Sequence, residues 1–279
     1  MRILCCLLLL CTALAAAEPA SETMTERSLR QLLERQQALF AEAKKQGGKL
    51  DQASFQEQAQ ALVHDYEVFL RNNPNSADGY AAYGYLLGKV DMRRESLVML
   101  MKANRIDPNI AVVKNQIGNL LAETGQPLEA VSYFLSAIKL APREPLYHYQ
   151  LGTLLAEARD DFLKAGEWSR ESLDQNMLEA FRQAAALAPD RFEFAYRYAE
   201  AFYDLAKPDW DAALREWAAL EEKAATNIER ETMRLHAANI LIKQGKTDHA
   251  RLVLAMITEP ELQAQKQKLV AQLPARDDK

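Results

Sequence analysis

The chain has 279 residues, with 34 Lys and Arg against 39 Asp and Glu, a formal net charge of −5. That balance argues against a basic nucleic-acid surface. With 49% hydrophobic and 26% charged residues the composition is ordinary for a folded, soluble chain, which excludes wholesale disorder but identifies no reaction.

Residues 1–17 read as an export signal. Met1-Arg2-Ile3 supplies a positive start, Leu4 to Leu14 an apolar stretch, and Ala13-Leu14-Ala15-Ala16-Ala17 the small residues a signal peptidase needs, so cleavage is expected after Ala15 or Ala17. The apolar stretch is far shorter than the roughly 20 residues a bilayer requires, so the mature chain is expected to carry no integral membrane span and to be periplasmic or secreted. All three cysteines, Cys5, Cys6 and Cys11, lie in this leader. The mature chain would then form neither a disulfide nor a cysteine-ligated metal site. Lipid attachment at Cys11 is disfavoured by Leu10, where lipoprotein signals carry a small residue.

Next along the chain, Thr23-x-x-Glu26 and Ser54-x-x-Glu57 are capping-box patterns, predicting helices over about 24–46 and 55–71 separated by Gly47-Gly48. Leu29, Leu32, Leu33, Leu39 and Phe40 share one stripe of the first. This stripe either packs on the following helices or pairs two chains as a weak homo-oligomer. Packing is favoured, because three heptads interrupted by Gln36 make a poor coiled coil.

A repeat then begins. Pro74, Pro108 and Pro142 are spaced 34 residues apart, twice, and the same interval aligns Tyr83-Gly84 with Ile117-Gly118 and Leu151-Gly152, and Leu87 with Leu121 and Leu155. Ser96 falls on Ala130, Leu100 on Phe134, and Ala103 on Ala137. Tyr80, Tyr83 and Leu87 recur at helical spacing over 77–90, Asp91 lies in a break, and Leu97, Leu100 and Ala103 resume the spacing over 93–106. Each unit is therefore a helix, a tight turn and a second helix, ended by a proline that lacks a donor and clashes with the preceding turn. A glycine inside the first helix costs about 1 kcal/mol relative to Ala, which predicts close approach of the second helix at the small Ser96 or Ala130.

These residues resemble the tetratricopeptide repeat. Its pattern is met most fully over 111–144, where Ile117-Gly118, Leu121, Ala130, Phe134, Ala137 and Pro142 fill the slots and Gly125 makes the turn. The resemblance implies an all-α, right-handed superhelix of stacked antiparallel helix pairs, an α-solenoid. Its units are read as 77–110, 111–144, 145–191, 192–230 and 231–260, after a degenerate helix pair over 18–76 and before a capping helix and tail over 261–279. The third unit has 13 additional residues around Arg159 to Glu171, including Phe162 and Trp168, which are expected to tuck the insertion against its own repeat. Atypical ends suit a solenoid, whose terminal units have one neighbour only.

Catalytic patterns are absent. Gly84-x-x-x-Gly88-Lys89 is one residue short of a phosphate-binding loop, lacks the following Ser or Thr, and lies within a predicted helix. His64, His148, His236 and His249 are scattered, so no metal site or cofactor is expected, and solvation or packing is the favoured role of His148 and His236. No Gly-x-Ser-x-Gly elbow occurs, and Asp160-Asp161 reads as part of a charged loop in the insertion.

The resemblance also implies that first helices line a concave groove, with side chains at i, i+4, i+7 and i+8 facing it. That rule selects Ala81, Tyr85, Gly88 and Lys89; Asn115, Asn119, Ala122 and Glu123; Tyr149, Thr153, Ala156 and Glu157; Tyr196, Glu200, Tyr203 and Asp204; and Leu235, Asn239, Ile242 and Lys243. Gln116, Gln150 and Arg197 stand beside them. The amides and hydroxyls can bond a peptide backbone, and the four tyrosines offer flat apolar area with a polar tip. Glu123, Glu157 and Asp204 repeat at one slot and predict a groove acidic at its centre, suited to a ligand neutral or basic there. A clamp for a C-terminal carboxylate is disfavoured: Asn115, Asn119 and Arg197 fit, but Ala81 and Leu146 stand where lysines are needed. The expected function is that of an exported, non-enzymatic adaptor binding a protein or peptide, not nucleic acid. The alternatives are a self-associating or assembly factor of the outer-membrane or pilus type and, more remotely, an accessory subunit of an enzyme complex.

Overall fold

A computed structural model describes residues 22–47 and 51–274. The leader, Gly48 and the last five residues lie outside the described residues. The chain order is α1 Met24–Gln46, α2 Gln52–Asn72, α3 Ala77–Lys89, α4 Arg93–Ile106, α5 Ala111–Glu123, α6 Pro127–Leu140 and α7 Pro145–Glu157. It continues with α8 Arg159–Ala165, α9 Arg170–Leu187, α10 Phe192–Ala201, α11 Trp210–Lys223, α12 Asn227–Lys243, α13 Thr247–Ala255 and α14 Gln263–Val270. Among the described residues there is no strand, and no helix is long and apolar enough to cross a membrane. The helices stack in sequence order as an α-solenoid: α3 packs on α4, α5 on α6 and α7 on α9, while α4 meets α5 and α6 meets α7.

Helix starts follow side-chain caps. Thr23 and Glu26 form the expected capping box, with the Glu26 amide donating to Thr23 Oγ1 at 3.1 Å and the Thr23 amide to Glu26 Oε2 at 2.7 Å. The second helix departs from expectation. Asp51 Oδ1 accepts from the Ala53 and Ser54 amides at 3.1 and 3.3 Å, so α2 starts three residues upstream of the Ser54 box. An acceptor that reaches the first free amides sets the boundary, and Ser54 becomes a first-turn residue. Helix α12 begins at a further capping box, Thr226 with Glu229.

The turn between paired helices is left-handed at one slot: Asp91 (φ 63°), Gly125 (φ 76°) and Gly245 (φ 72°). The third unit has Arg159 in that slot. There the chain runs on into α8 and takes its left-handed turn at Gly166 (φ 75°). Gly84, Gly118 and Gly152 make the close approach, but against a different partner from the one expected. A Cβ on each would lie 2.8 Å from Leu100, 3.0 Å from Phe134 and 2.9 Å from Phe181. A large side chain of the second helix fills the glycine notch, and the small slot does something else: Ser96 Oγ donates to the Gly84 carbonyl at 2.7 Å.

The α1 stripe is occupied by its own chain. Leu32 and Leu39 are buried in a cluster with Leu62, Tyr66, Phe69 and Leu86, Leu29, Leu33 and Phe40 pack on it, and Gln36 is buried as well. The insertion is tucked as expected: Phe162 is fully buried in the central cluster with Phe134, Leu155 and Phe181, and Trp168 packs 5.8 Å from its ring. Asp160 and Asp161 are on helix α8 rather than in a loop. At the far end Leu262, Leu269 and Leu273 cover Leu235, Leu254 and Ile257. Glu231 is buried there, accepting from the Thr258 amide and hydroxyl and the Glu259 amide at 2.7–2.9 Å. Burial acts to raise its pKa, but these bonds outweigh that and hold the carboxyl below its ordinary range.

Candidate binding groove

Seven of the expected groove residues meet in one cavity of about 400 Å³. Asn119 and Glu123 come from α5, and Tyr149, Gln150, Thr153 and Glu157 from α7; Gly125 and Pro127 of the α5–α6 turn and Asp161 of α8 complete the wall. Helical spacing puts Asn119 and Glu123, and likewise Tyr149, Thr153 and Glu157, on one face of their helices. The apolar floor includes Ala122, Leu154 and Phe134. Thr153 Oγ1 donates back to the Tyr149 carbonyl at 3.0 Å, which leaves its oxygen free to accept. Gln150 Oε1 is buried and has no partner among the described residues. Asp161 is the contribution that the 34-residue register could not foresee, because it arrives on the inserted helix.

Asn115 does not join this surface. Between buried Val113 and Ile117 it is only 1% exposed, with an unpaired Oδ1, so the packed neighbours of α5 take the place the rule gave to a ligand. Toward the N-terminus the groove wall is Tyr85, 38% exposed, with Lys89 Nζ 5.4 Å over its ring and the Phe40 ring edge-on at 6.2 Å.

In the C-terminal part the expected groove side chains contact one another. His236 of α12 stacks on Trp217 of α11 with centroids 3.9 Å apart and rings 2° from parallel. Tyr196 Oη lies 3.1 Å from His236 Nε2, and Tyr203 Oη donates to the His236 carbonyl at 3.2 Å. The expected polar tips are therefore spent internally. Burial pushes the His236 pKa down to about 4, keeping it neutral, and pushes the Tyr203 hydroxyl up to about 12. Packing is thus the role of His236, as the sequence favours.

The i+7 and i+8 positions fail in this unit, because α10 ends at Ala201 and Phe202–Asp204 form a 3-10 turn. Asp204 is also not a free acid: Arg197 Nη2 pairs with it at 3.0 Å, and its carbonyl accepts from Arg170 at 2.6 Å. Arg197 lies 4.4 Å over the Phe181 ring of the preceding unit and 3.8 Å from Glu200, so it is committed to partners within the chain. The carboxylates that line the central cavity are Glu123, Glu157 and Asp161. His148 Nε2 lies 2.9 Å from the Pro142 carbonyl. Among the described residues no three His, Cys, Asp or Glu side chains converge as a metal site.

A tetratricopeptide repeat family model matches residues 111–144. No curated protein sequence matches the chain. Solved structures do. The structure titled as a functional characterisation of pilF from Pseudomonas aeruginosa aligns over 90% of this chain and 100% of its own, with 15% identity and a TM-score of 0.60. YrrB, described as a tetratricopeptide repeat protein with an unusual peptide-binding site, aligns over 73% of this chain and 91% of its own, with 17% identity and a TM-score of 0.56. MamA from Desulfovibrio magneticus RS-1 aligns over 74% and 100%, with 14% identity and a TM-score of 0.52. Identities this low speak for the fold alone; the matched repeat at 111–144 and its recurrence at 34 residues show that this fold is built from tetratricopeptide repeats.

Proposed function

We propose that the protein is a non-catalytic adaptor that holds a peptide segment or protein surface in the concave groove, centred on the cavity between α5, α7 and α8, and that it works in the cell envelope after loss of residues 1–17. The observation that carries this reading is the contrast along the groove. The central cavity is lined by Asn119, Gln150 and three carboxylates, of which only Glu123 is ion-paired among the described residues, whereas in the C-terminal part Tyr196 and Tyr203 meet His236 and Asp204 pairs with Arg197. The peptide-binding site named for YrrB supports the reading by analogy of fold. Self-association through α1 is disfavoured, because Leu32 and Leu39 already lie in this chain's own core.

The test is affinity capture from a cell-envelope extract, comparing the mature wild type with Asn119→Ala plus Gln150→Ala. Tyr149 is left alone, since it packs 4.8 Å from the Phe194 ring and its removal would mix folding with binding. A partner retained by the wild type and lost by the variant is expected. Identical recoveries would overturn the groove as the binding site.

A further inference from the structure

We infer that the central cavity selects a basic side chain, Lys or Arg, projecting from an extended segment of a protein partner; this rests on the groove reading above. The cavity wall carries three carboxylates, Glu123, Glu157 and Asp161, and no Lys, Arg or His. They come from three elements. Glu123 and Glu157 occupy the same slot one repeat apart, and the insertion turns Asp161 toward the same space. Of the three, only Glu123 is ion-paired among the described residues, to Arg93 at 3.6 Å, with both side chains about half exposed (52% and 50%). Such a pair contributes little and is easily displaced.

The remaining wall suits a long cationic side chain. Ala122, Leu154 and Ala158 with the Tyr149 ring offer apolar contact to a methylene stem, as amphipathic side chains require. The three carboxylates are acceptors, and ammonium and guanidinium groups are donors only. Acidic residues further along are neutralised within the chain, Asp204 by Arg197 and Asp174 by Arg170 at 2.8 Å. An anionic ligand, including a C-terminal carboxylate, would meet like charge at the centre.

The test uses immobilised nonapeptides with a fixed central residue, Lys, Arg, norleucine or Glu, and mixed Gly, Ser and Ala flanks. Wild type should be retained about tenfold better on Lys and Arg than on norleucine, and least on Glu. Glu157→Gln plus Asp161→Asn should erase that preference, and Glu157→Lys plus Asp161→Lys should turn it toward Glu; both positions are exposed, and circular dichroism checks that the helices persist. Equal retention on all four peptides, lost in Asn119→Ala plus Gln150→Ala, would overturn the basic preference and leave the groove reading standing. A preference unchanged by Glu157→Gln plus Asp161→Asn would move it away from this cavity. No retention on any peptide would count against both readings.

Discussion

The central and C-terminal parts of the groove are built from the same slots of the same repeat, yet their side chains end in different surroundings. At α5 and α7 the slots carry Asn119, Glu123, Tyr149, Thr153 and Glu157 around a cavity. At α10 and the 3-10 turn that follows it they carry Tyr196 and Tyr203, whose hydroxyls meet His236 of α12. A repeat position thus fixes which way a side chain faces, while its neighbours across the stack decide whether it is available. His236, stacked on buried Trp217, is the group that the two tyrosines meet.

The largest test of that contrast is Trp217→Ala. The ring is 0% exposed, and deleting a buried aromatic of this size costs about 3–5 kcal/mol. The thermal midpoint should fall sharply, and hydrogen exchange should place the loss in α10–α12 rather than α5–α7, because each unit of a solenoid leans mainly on its neighbours. Uniform loss of protection along the chain would remove the distinction.

A second, somewhat smaller effect concerns pH. His236 has a folded pKa of about 4 against roughly 6.5 unfolded, so the unfolded chain takes up the proton first. Stability should be full above about pH 6.5 and should fall as the pH drops toward 4, by up to about 3 kcal/mol. His236→Phe keeps a ring on Trp217 and should remove that slope from the urea-denaturation profile between those pH values. A variant that keeps the wild-type slope would show that another group titrates.

The smallest expected effect sharpens the other side. Glu157 is exposed and makes no ion pair among the described residues, so Glu157→Gln should change the denaturation midpoint by no more than about 0.5 kcal/mol. A loss above 2 kcal/mol would mean that Glu157 supports the fold, as Glu231 does, and is not held open for a partner.

Residue spacing alone specified the period, the helix pairs and the faces they present, because those are set by local propensity and by contacts with adjacent units. The glycine notches at Gly84, Gly118 and Gly152 were legible for the same reason, although the side chains that fill them, Leu100, Phe134 and Phe181, are not the small ones that close approach suggested. The Thr23 box set the start of α1, whereas Asp51 took the cap of α2 by reaching the free amides first. Tertiary structure decided everything that depends on side chains from different units: Asn115 is covered, Asp204 is neutralised, and the tyrosines are spent on a histidine that lies 40 residues from Tyr196 and 33 from Tyr203. It also brought Asp161 on an inserted helix into the groove, where the repeat register provides no slot for it. Periodicity records how the backbone turns and which face is apolar. Whether a polar atom on that face is satisfied depends on distances that are settled only when the units are stacked.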